Sequence, residues 1–277
     1  MEQLEYEKNQ VGKYAVFTLN RPEKLNAISS LLMFDLKNCL DDFDNDPNMR
    51  VGIITGYGRA FSAGADLREG IEKEKKVEEL TKLADTGQLS QDELSKKIDR
   101  EYPNIQVQYD LFSKRDKPFI AAVNGFAIGG GMHWVMDCDI RIAAKGAYFS
   151  LPEPKVGMAA SYGSQYLPYL IPFGESLYYL LTSDKIPAEE AKKIGLIHDV
   201  VAQDDLLARA IHITELIIQG APNAISATKK LAYYFKNNME LQRMEYVQPI
   251  LDTIQESPNS LEGRKAFSEK RLPKWVD

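Results

Sequence analysis

Short apolar segments recur through the first part of the chain and predict a series of strands. The segment KYAVFTLNRP alternates apolar with polar positions, is rich in β-branched and aromatic residues, and predicts a strand that ends at Pro22. The continuous apolar runs RVGIITG and KPFIAAVNG predict buried strands, and IRIAA and AYFSLPE predict two more. Whether the segments between these strands are helices or turns decides the fold class.

Predicted helices alternate with these strands, and the C-terminal part of the chain is predicted to be helical. SSLLMFDLKNCLDDFDND carries apolar residues at helical spacing behind a serine that can act as N-cap, and GGGMHWVMDCD predicts the start of another helix. VEELTKLADTGQLSQDELSKKIDREY predicts two short helices with a turn at Thr86-Gly87, or a mobile excursion over the surface. From about Pro187 the segments are helical: PAEEAKKIGL, QDDLLARAIHITELIIQG, PNAISATKKLAYYFKN and SLEGRKAFSEKRLPKW, the last as far as Pro273.

The order of these elements predicts an α/β fold with parallel strands. The change of pattern near residue 200 divides the chain into an α/β core, residues 1–200, and a C-terminal helical module, residues 201–277. Helices with apolar faces in such a module favour packing on a neighbouring chain. We therefore expect a homo-oligomer.

Composition narrows the function classes. The 277 residues suit one domain with an appended helical piece, and a net charge of −6 argues against a nucleic-acid-binding protein. Two cysteines, Cys39 and Cys138, give no disulfide framework, and the polar N-terminus and the lack of a long apolar run predict a cytoplasmic protein without a membrane span. The three histidines are far apart in the sequence, so we expect no metal site.

Two glycine-bearing turns follow two of the predicted buried strands. GRAFSAGADL comes after VGIIT, and GFAIGGG comes after FIAAV. Ligands of open α/β sheets bind at the carboxyl ends of strands, and two backbone N–H groups aimed at one point form an oxyanion hole. Taken alone, each turn is better explained as a tight turn for packing, because isolated glycine patterns are weak signals. Neither turn has the spacing of a nucleotide-phosphate loop.

Several motifs together resemble the crotonase (enoyl-CoA hydratase/isomerase) superfamily. They are TLNRPEKLNAIS, RAFSAGADL, KPFIAAVNGFAIGGG, CDIRIAAKGAYFSLPEPKVGM and AFSEKRLPKW, in the family's order and spacing over nearly the whole chain. The resemblance implies a crotonase-like superhelix of repeated ββα units with a C-terminal helical trimerisation module. It also implies homotrimers, commonly paired as hexamers, and acyl-CoA thioester substrates. Coenzyme A is then part of the substrate, and no separate cofactor is implied.

The resemblance assigns roles to residues of these motifs. Ala65 and Gly130 are implied as the two oxyanion-hole N–H donors, which would hold the thioester carbonyl and stabilise an enolate. The residues implied in coenzyme A binding are Lys24, Leu25, Ala27, Ala63, Asp66 and Lys270. Of these, Ala63 and Asp66 would meet the adenine. Lys270 is either a phosphate contact, within its own subunit or to a neighbouring one, or an ordinary solvated lysine.

One departure from the family pattern concerns the acid/base residues. Hydratases of the family usually carry two glutamates; the second is present as Glu153, whereas the first position holds His133. Hydration needs a base for water and an acid for the α-carbon, and a glutamate with a histidine can supply both. A lone glutamate can instead move a proton from C2 to C4, which is the Δ3,Δ2-isomerase reaction.

A second departure follows Glu153. Ser161 stands where hydratases of the family have a glycine near the substrate, and Tyr162 comes next. These side chains are interpreted as pocket lining or packing, and they favour a bulkier or more polar acyl group than a simple short chain. Our leading interpretation is an enoyl-CoA hydratase that uses Glu153 and His133. The alternatives are an isomerase, a CoA-ester hydrolase, a carbon–carbon lyase, or a non-catalytic CoA-ester-binding protein.

Overall fold

The computed structural model describes residues 3–101, 110–238, 252–253 and 256–274. Strands form two sheets. The larger has the order β1-β2-β3-β5-β7-β10, and the smaller has the order β4-β6-β8-β9. The strands of the larger sheet are β1 Leu4–Asn9, β2 Tyr14–Leu19, β3 Val51–Gly56, β5 Phe119–Val123, β7 Ile140–Ala144 and β10 Asp199–Val201. Those of the smaller sheet are β4 Ala60–Ser62, β6 Phe126–Ile128, β8 Tyr148–Ser150 and β9 Ile186–Pro187.

Most strand pairs are parallel, as the sequence predicted. Strands β2, β3, β5, β7 and β10 run parallel in the larger sheet, and β1 is antiparallel to β2. In the smaller sheet β4, β6 and β8 are parallel, and β9 is antiparallel to β8. Parallel strands need crossover connections, and the helices supply them.

The helices follow the strands in a repeating order. Their bounds are α1 Ser30–Asn45, α2 Leu67–Asp85, α3 Gln91–Glu101, α4 Gly130–Asp137, α5 Ser161–Leu170, α6 Phe173–Thr182, α7 Ala188–Lys193, α8 Leu206–Ile217, α9 Pro222–Asn238 and α10 Pro258–Glu269. The pairs β3–β4, β5–β6 and β7–β8 each place one strand in each sheet, and α2, α4 and α5 follow them in turn. This is the repeated ββα arrangement that the resemblance implied.

Local signals account for the helices that were predicted. The hydroxyl of Ser29 accepts a hydrogen bond from the Leu32 amide at 3.1 Å, so Ser29 is the N-cap of α1. The charged segment forms two helices on either side of Gly87, but the first of them begins at Leu67, well before the predicted start at Val77. The carboxylate of Asp66 accepts from the Glu69 amide at 3.3 Å and caps this longer helix.

Other elements were not predicted. Strands β4, β6, β9 and β10 are only two or three residues long, too short to show a period. Strand β1 lies in the polar N-terminal segment, where alternate side chains face solvent. Helix α5 contains Pro168, which ordinarily argues against a helix.

Helix α10 was predicted, but it ends before Pro273. Lys270 adopts a left-handed conformation, φ 53°, and ends the helix there.

The core is formed on both faces of the larger sheet. One face buries large aromatic residues, among them Phe17, Phe43, Phe119 and Trp134. On the other face Leu206 and Ala210 of α8 pack against the strands in a second buried cluster. Helix α8 therefore shares the core of residues 1–200, and the predicted boundary at residue 200 falls inside β10. The division into two domains stays a prediction, and residues 239–251, 254–255 and 275–277 of the module lie outside the described residues.

Helix α10 packs closely on the segment that begins with Glu153. Residues Glu153–Val156 form a short 3₁₀ helix that ends at Gly157, where φ is 74°. A Cβ atom built on Gly263 of α10 would lie only 2.3 Å from the Val156 carbonyl oxygen, so the two backbones meet where glycine alone fits. Among the described residues, no helix is both long enough and apolar enough to cross a bilayer.

Candidate active site

The backbone around Ala65 is held by a parallel bridge to the loop before α1. The Ile28 amide donates to the Gly64 carbonyl at 2.8 Å, and the Asp66 amide donates to the Ile28 carbonyl at 3.0 Å. Ile28 makes both hydrogen bonds of this bridge, so the N–H of Ala65 points to the opposite side of its segment. Ala65 itself is exposed. Neither hydrogen bond of the bridge uses its amide.

The Gly130 segment lies directly beside Gly64 and Ala65. A Cβ atom built on Gly64 would lie 2.7 Å from the Ile128 carbonyl oxygen and 3.0 Å from the Gly130 nitrogen. One built on Gly130 would lie 3.4 Å from the Ala65 nitrogen. Gly130 is the first residue of α4, where backbone N–H groups have no intrahelical acceptor. The two predicted oxyanion donors thus belong to adjoining backbone segments.

Glu153 reaches this region from the other side. Its Oε1 lies 3.3 Å from the position of a Cβ atom on Gly129, whose φ of 51° and ψ of −120° favour glycine. The side chain is 12 % exposed, and burial raises its pKa from 4.5 to about 7. Within the part of the chain that the structure describes, Oε2 is buried without a hydrogen-bond partner. A carboxyl group that ionises near neutral pH suits proton transfer.

His133 faces Glu153. It is the fourth residue of α4, its side chain is 4 % exposed, and its Nε2 lies 3.6 Å from Glu153 Oε1. Burial lowers its pKa from 6.5 to about 3, so the imidazole is neutral at pH 7. The distance exceeds that of a hydrogen bond, although catalytic contacts are often long before substrate binds. The two predicted acid/base residues are therefore adjacent. Burial favours the neutral form of each, which is the protonated carboxyl of Glu153 and the deprotonated imidazole of His133.

The two residues predicted to line the acyl pocket differ in environment. Ser161 begins α5 and is half-buried. Tyr162 is buried, its ring packs against the His133 imidazole with centroids 5.1 Å apart, and its hydroxyl donates to Asp137 Oδ1 at 3.2 Å. The phenol therefore serves an internal contact. The sequence reasoning missed Asp137, although its i,i+4 spacing from His133 on an otherwise apolar helix was a usable signal.

The predicted coenzyme A segments lie side by side. The Ala63 amide donates to the Leu25 carbonyl at 2.9 Å, Lys24 is exposed, and Ala27 is half-buried. Asn26 was missed: it is fully buried at φ 53°, and its side-chain amide donates to the Ala60 carbonyl at 2.8 Å. A buried amide in a left-handed conformation holds the loop in shape. The contacts of this loop with coenzyme A stay a prediction.

Asp66 has partners within the chain. Its Oδ2 accepts from Arg21 at 2.8 Å, in addition to the capping contact with the Glu69 amide. Burial alone would raise the pKa of Asp66, but the hydrogen bonds from Arg21 and the Glu69 amide outweigh it and lower the pKa. Arg21 also donates to the Ala27 carbonyl at 3.1 Å and so joins the two predicted coenzyme A segments. Lys270 is exposed at the end of α10, and its contact with phosphate stays a prediction.

Comparisons with known proteins identify the family of this chain. A family model described as Enoyl-CoA hydratase/isomerase matches residues 9–277. The chain belongs to the enoyl-CoA hydratase/isomerase family. The crotonase resemblance is thereby confirmed, and the protein is a crotonase-family enzyme. No group of three or more His, Cys, Asp or Glu side chains in the described ranges is arranged to hold a metal ion.

Relatives of this family member are similar over almost their full lengths. A carnitinyl-CoA dehydratase of Salmonella typhi is 34% identical over 271 residues, covering 95% of each chain. An (E)-benzylidenesuccinyl-CoA hydratase of Thauera aromatica is 33% identical over 261 residues, covering 94% of each. A solved carnitinyl-CoA hydratase from Mycobacterium avium superposes with a TM-score of 0.78 at 28% identity, covering 99% of this chain and 98% of the other. The fold is therefore the crotonase fold, as predicted.

Proposed function

We propose that this enzyme adds water to the double bond of an enoyl-CoA thioester. The observation that carries the proposal is a buried Glu153 carboxyl with a pKa of about 7, facing a neutral His133 near the Ala65 and Gly130 amides. A carboxyl group with this pKa is present in both protonation states at neutral pH. It can therefore accept a proton in one step and return it in the next.

The two backbone amides supply the electrostatic part of the reaction. When the oxygen of water bonds to C3, the π electrons of the C2–C3 bond move towards the thioester carbonyl, and its oxygen gains negative charge. Donors from Ala65 and Gly130 would stabilise this enolate, and loss of one such donor typically costs about 3–4 kcal/mol in the transition state. The exposed position of Ala65 and the N-terminal position of Gly130 in α4 support these roles.

Glu153 carries out both proton transfers, and His133 orients the attacking water. Ionised Glu153 takes the proton of the attacking water, and the carboxylic acid so formed then gives a proton to C2 as the enolate collapses. His133 has a pKa of about 3 and is therefore a weak base, so its neutral nitrogen orients the water by hydrogen bonding. This assignment makes Glu153 the proton carrier and His133 the second group that contacts the reacting water.

The names of two relatives support hydration and a large acyl group. The carnitinyl-CoA dehydratase and the (E)-benzylidenesuccinyl-CoA hydratase are both named for loss or addition of water on a coenzyme A ester. Together with Ser161 in place of a glycine, they favour a branched, polar or aromatic acyl group here. We also infer that Lys24, Leu25, Ala27, Ala63 and Asp66 line the coenzyme A, with Lys270 near its phosphates.

A second candidate is the Δ3,Δ2-isomerase reaction. The observation that favours it is that the His133–Glu153 pair contains one carboxyl group, and His133 is neutral. Ionised Glu153 would remove a proton from C2 and return it at C4, while the same two amides hold the dienolate oxygen. No water enters this reaction, so the two candidates differ in product mass.

A mass-resolved screen tests the proposal. Short, branched and aromatic enoyl-CoA esters are incubated with the wild type, with Glu153→Gln, and with Glu215→Gln, an exposed control on α8. We expect a product heavier by one water from the wild type and the control, with turnover by Glu153→Gln reduced about a hundredfold or more. Unchanged mass with a moved double bond would favour the isomerase, and two fragments would favour a hydrolase or lyase. Unchanged turnover by Glu153→Gln would refute the acid/base assignment, and tight binding without product would indicate a binding protein.

A further inference from the structure

A buried polar pair, Asp137 and Tyr162, lies behind His133 and has no part in the chemistry described above. Asp137 is 2 % exposed and Tyr162 is 8 % exposed. They are joined by the hydrogen bond from the Tyr162 hydroxyl to Asp137 Oδ1 at 3.2 Å. Burial of a polar group costs free energy unless it forms hydrogen bonds, and this hydrogen bond satisfies both side chains.

Asp137 is fixed to the protein at its other oxygen. Oδ2 accepts from the Phe112 amide at 2.7 Å and, at a longer 3.4 Å, from the Ser113 amide. Asp137 follows His133 by four residues on α4, so the two side chains lie on the same face of the helix. The carboxylate therefore anchors this face of α4 to the segment at residues 112–113.

Tyr162 connects this anchor to the imidazole. It is the second residue of α5, and α5 follows the 3₁₀ helix that carries Glu153. One side of the ring stacks on Tyr166, with centroids 3.9 Å apart and planes at 13°. The ring also contacts the His133 imidazole, with planes at 43°. Tyr162 thus packs between its own helix and His133.

We propose that Asp137 and Tyr162 are positioning residues that hold the His133 imidazole against Glu153. The inference rests on the proposed function, in which His133 and Glu153 both contact the reacting water. The Asp137 hydrogen bond fixes where the Tyr162 ring lies, and the ring limits rotation of the imidazole. His133 then presents Nε2 to Glu153 Oε1.

The state of each group fits a positioning role. Burial and the nearby Asp137 raise the pKa of Tyr162, so the phenol keeps its proton and remains a hydrogen-bond donor. Burial raises the pKa of Asp137 to about 6, with the hydrogen bonds from Ser113 and Phe112 acting in the opposite direction, so Asp137 is mainly ionised at pH 7 and accepts that bond.

Nuclear magnetic resonance of ¹⁵N-labelled imidazoles tests the proposal without needing turnover. The chain has three histidines, so His133→Asn assigns the signal. At pH 9, where Glu153 is ionised, we expect a neutral His133 mainly in the Nε2–H tautomer, because Nε2 faces the Glu153 carboxylate. Tyr162→Leu and Asp137→Asn should shift these signals towards the average of both tautomers. Tyr162→Phe keeps the ring and should give a smaller shift.

Kinetics on the same variants separates positioning from general damage. We expect Tyr162→Leu to lower kcat about tenfold or more with KM within about twofold, because small displacements of reacting groups slow chemistry more than binding. Tyr162→Phe keeps the ring but removes the hydrogen bond to Asp137, so it should show a smaller part of that loss. Tyr6→Phe is the matched control, since it removes another Tyr–Asp hydrogen bond, to Asp42 at 2.9 Å, outside the site.

The outcomes distinguish this proposal from the proposed function. His133 signals that are unchanged in Tyr162→Leu and Asp137→Asn overturn the positioning role, whatever the activity. If the signals move while Glu153→Gln keeps full turnover, the positioning stands and the assigned chemistry fails. If Tyr162→Leu does not fold, the near-isosteric Asp137→Asn and Tyr162→Phe decide the question by the same measurement.

Discussion

At the scale of single residues, burial has opposite effects on the two facing groups. It raises the pKa of Glu153 to about 7 and lowers that of His133 to about 3, because the charged form of each loses hydration. Between about pH 3 and pH 7 both side chains are therefore mainly neutral. Above pH 7 Glu153 loses its proton and the pair carries one negative charge. A histidine in place of a carboxylate therefore leaves one ionisation in the working pH range.

The pH profile of activity follows from this pair. We expect kcat/KM for hydration to rise about tenfold per pH unit below pH 7 and to level off above it, since ionised Glu153 is the base. Initial rates at low substrate concentration between pH 5 and pH 9 measure the profile. The inflexion should remain in His133→Gln at reduced rate. A profile that instead falls above pH 7 would mean that Glu153 acts first as an acid.

Stability should depend on pH through His133. Below its unfolded pKa of 6.5 the unfolded chain takes up a proton, whereas the folded imidazole stays neutral until about pH 3. The contribution of His133 to stability is therefore lost as the pH falls from 6.5, by at most about 1.4 kcal/mol per pH unit, or roughly 2 kcal/mol at pH 5. Glu153, which faces His133, contributes in the opposite direction over this range, because its folded pKa is raised from 4.5 to about 7. The His133 contribution is therefore the difference between the wild type and a His133 variant.

Urea unfolding of the wild type and His133→Gln at pH 8 and pH 5 measures this effect. The variant should lose less free energy of unfolding between the two pH values, and His212→Gln on α8 is the exposed control. Equal losses in the wild type and His133→Gln would show that the folded imidazole is not held neutral.

At the scale of elements, close contact of the two glycine-bearing turns forms the site. The turn after β4 and the start of α4 approach until side-chain atoms no longer fit between them. Ser62 supports the first turn, because its hydroxyl donates to the Asn26 carbonyl at 2.8 Å and accepts from the Gly64 amide at 3.1 Å. The predicted oxyanion hole therefore depends on packing between elements.

Gly64→Ala should separate these turns. Its Cβ would meet the Ile128 carbonyl and the Gly130 nitrogen, and at φ 86° the backbone conformation is also strained. We expect turnover to fall about a hundredfold, as when one oxyanion donor is lost. Gly146→Ala is the matched control, because φ is 87° and no atom lies within 4 Å of its Cβ position. Steady-state kinetics and thermal unfolding of both variants test this, and equal activity losses would argue against the close contact.

At the scale of the whole molecule, exposed apolar side chains on α6 support the proposed trimer or hexamer. Phe173, Tyr178 and Leu181 are 64%, 51% and 76% exposed, and Leu177 of the same helix is partly exposed. A monomer gains nothing from such a surface, whereas association removes it from water. The trimer or hexamer stays a proposal, and the exposed apolar face of α6 is its candidate interface.

Leu181→Glu tests that surface. We expect the wild type to sediment as a trimer or hexamer and the variant to shift towards smaller species, because a carboxylate is costly to bury at an interface. Val11→Glu, at a 94% exposed position in the β1–β2 turn, is the control. Sedimentation velocity at several concentrations measures the distribution. A monomeric wild type would refute the proposed assembly.

The sequence by itself determined the family, the longer elements and the identities of the candidate residues. Apolar periodicity indicates β2 and α1, and continuous apolar runs indicate β3 and β5, because burial leaves a local pattern in the sequence. The motifs located Glu153, His133, Ala65 and Gly130, and the structure brings all four into one region. Their catalytic roles stay a prediction. Strands β4, β6, β9 and β10 were missed since two or three residues have no period.

Only the tertiary structure decided how the candidate residues face one another and in which protonation state. His133 is neutral and Glu153 titrates near pH 7 because neighbouring elements exclude water from both, and exclusion depends on packing from distant parts of the chain. The same holds for Asp137 and Tyr162, which meet across 25 residues of sequence. A linear pattern records which side chains are present, but contact and dielectric environment are set by the folded chain.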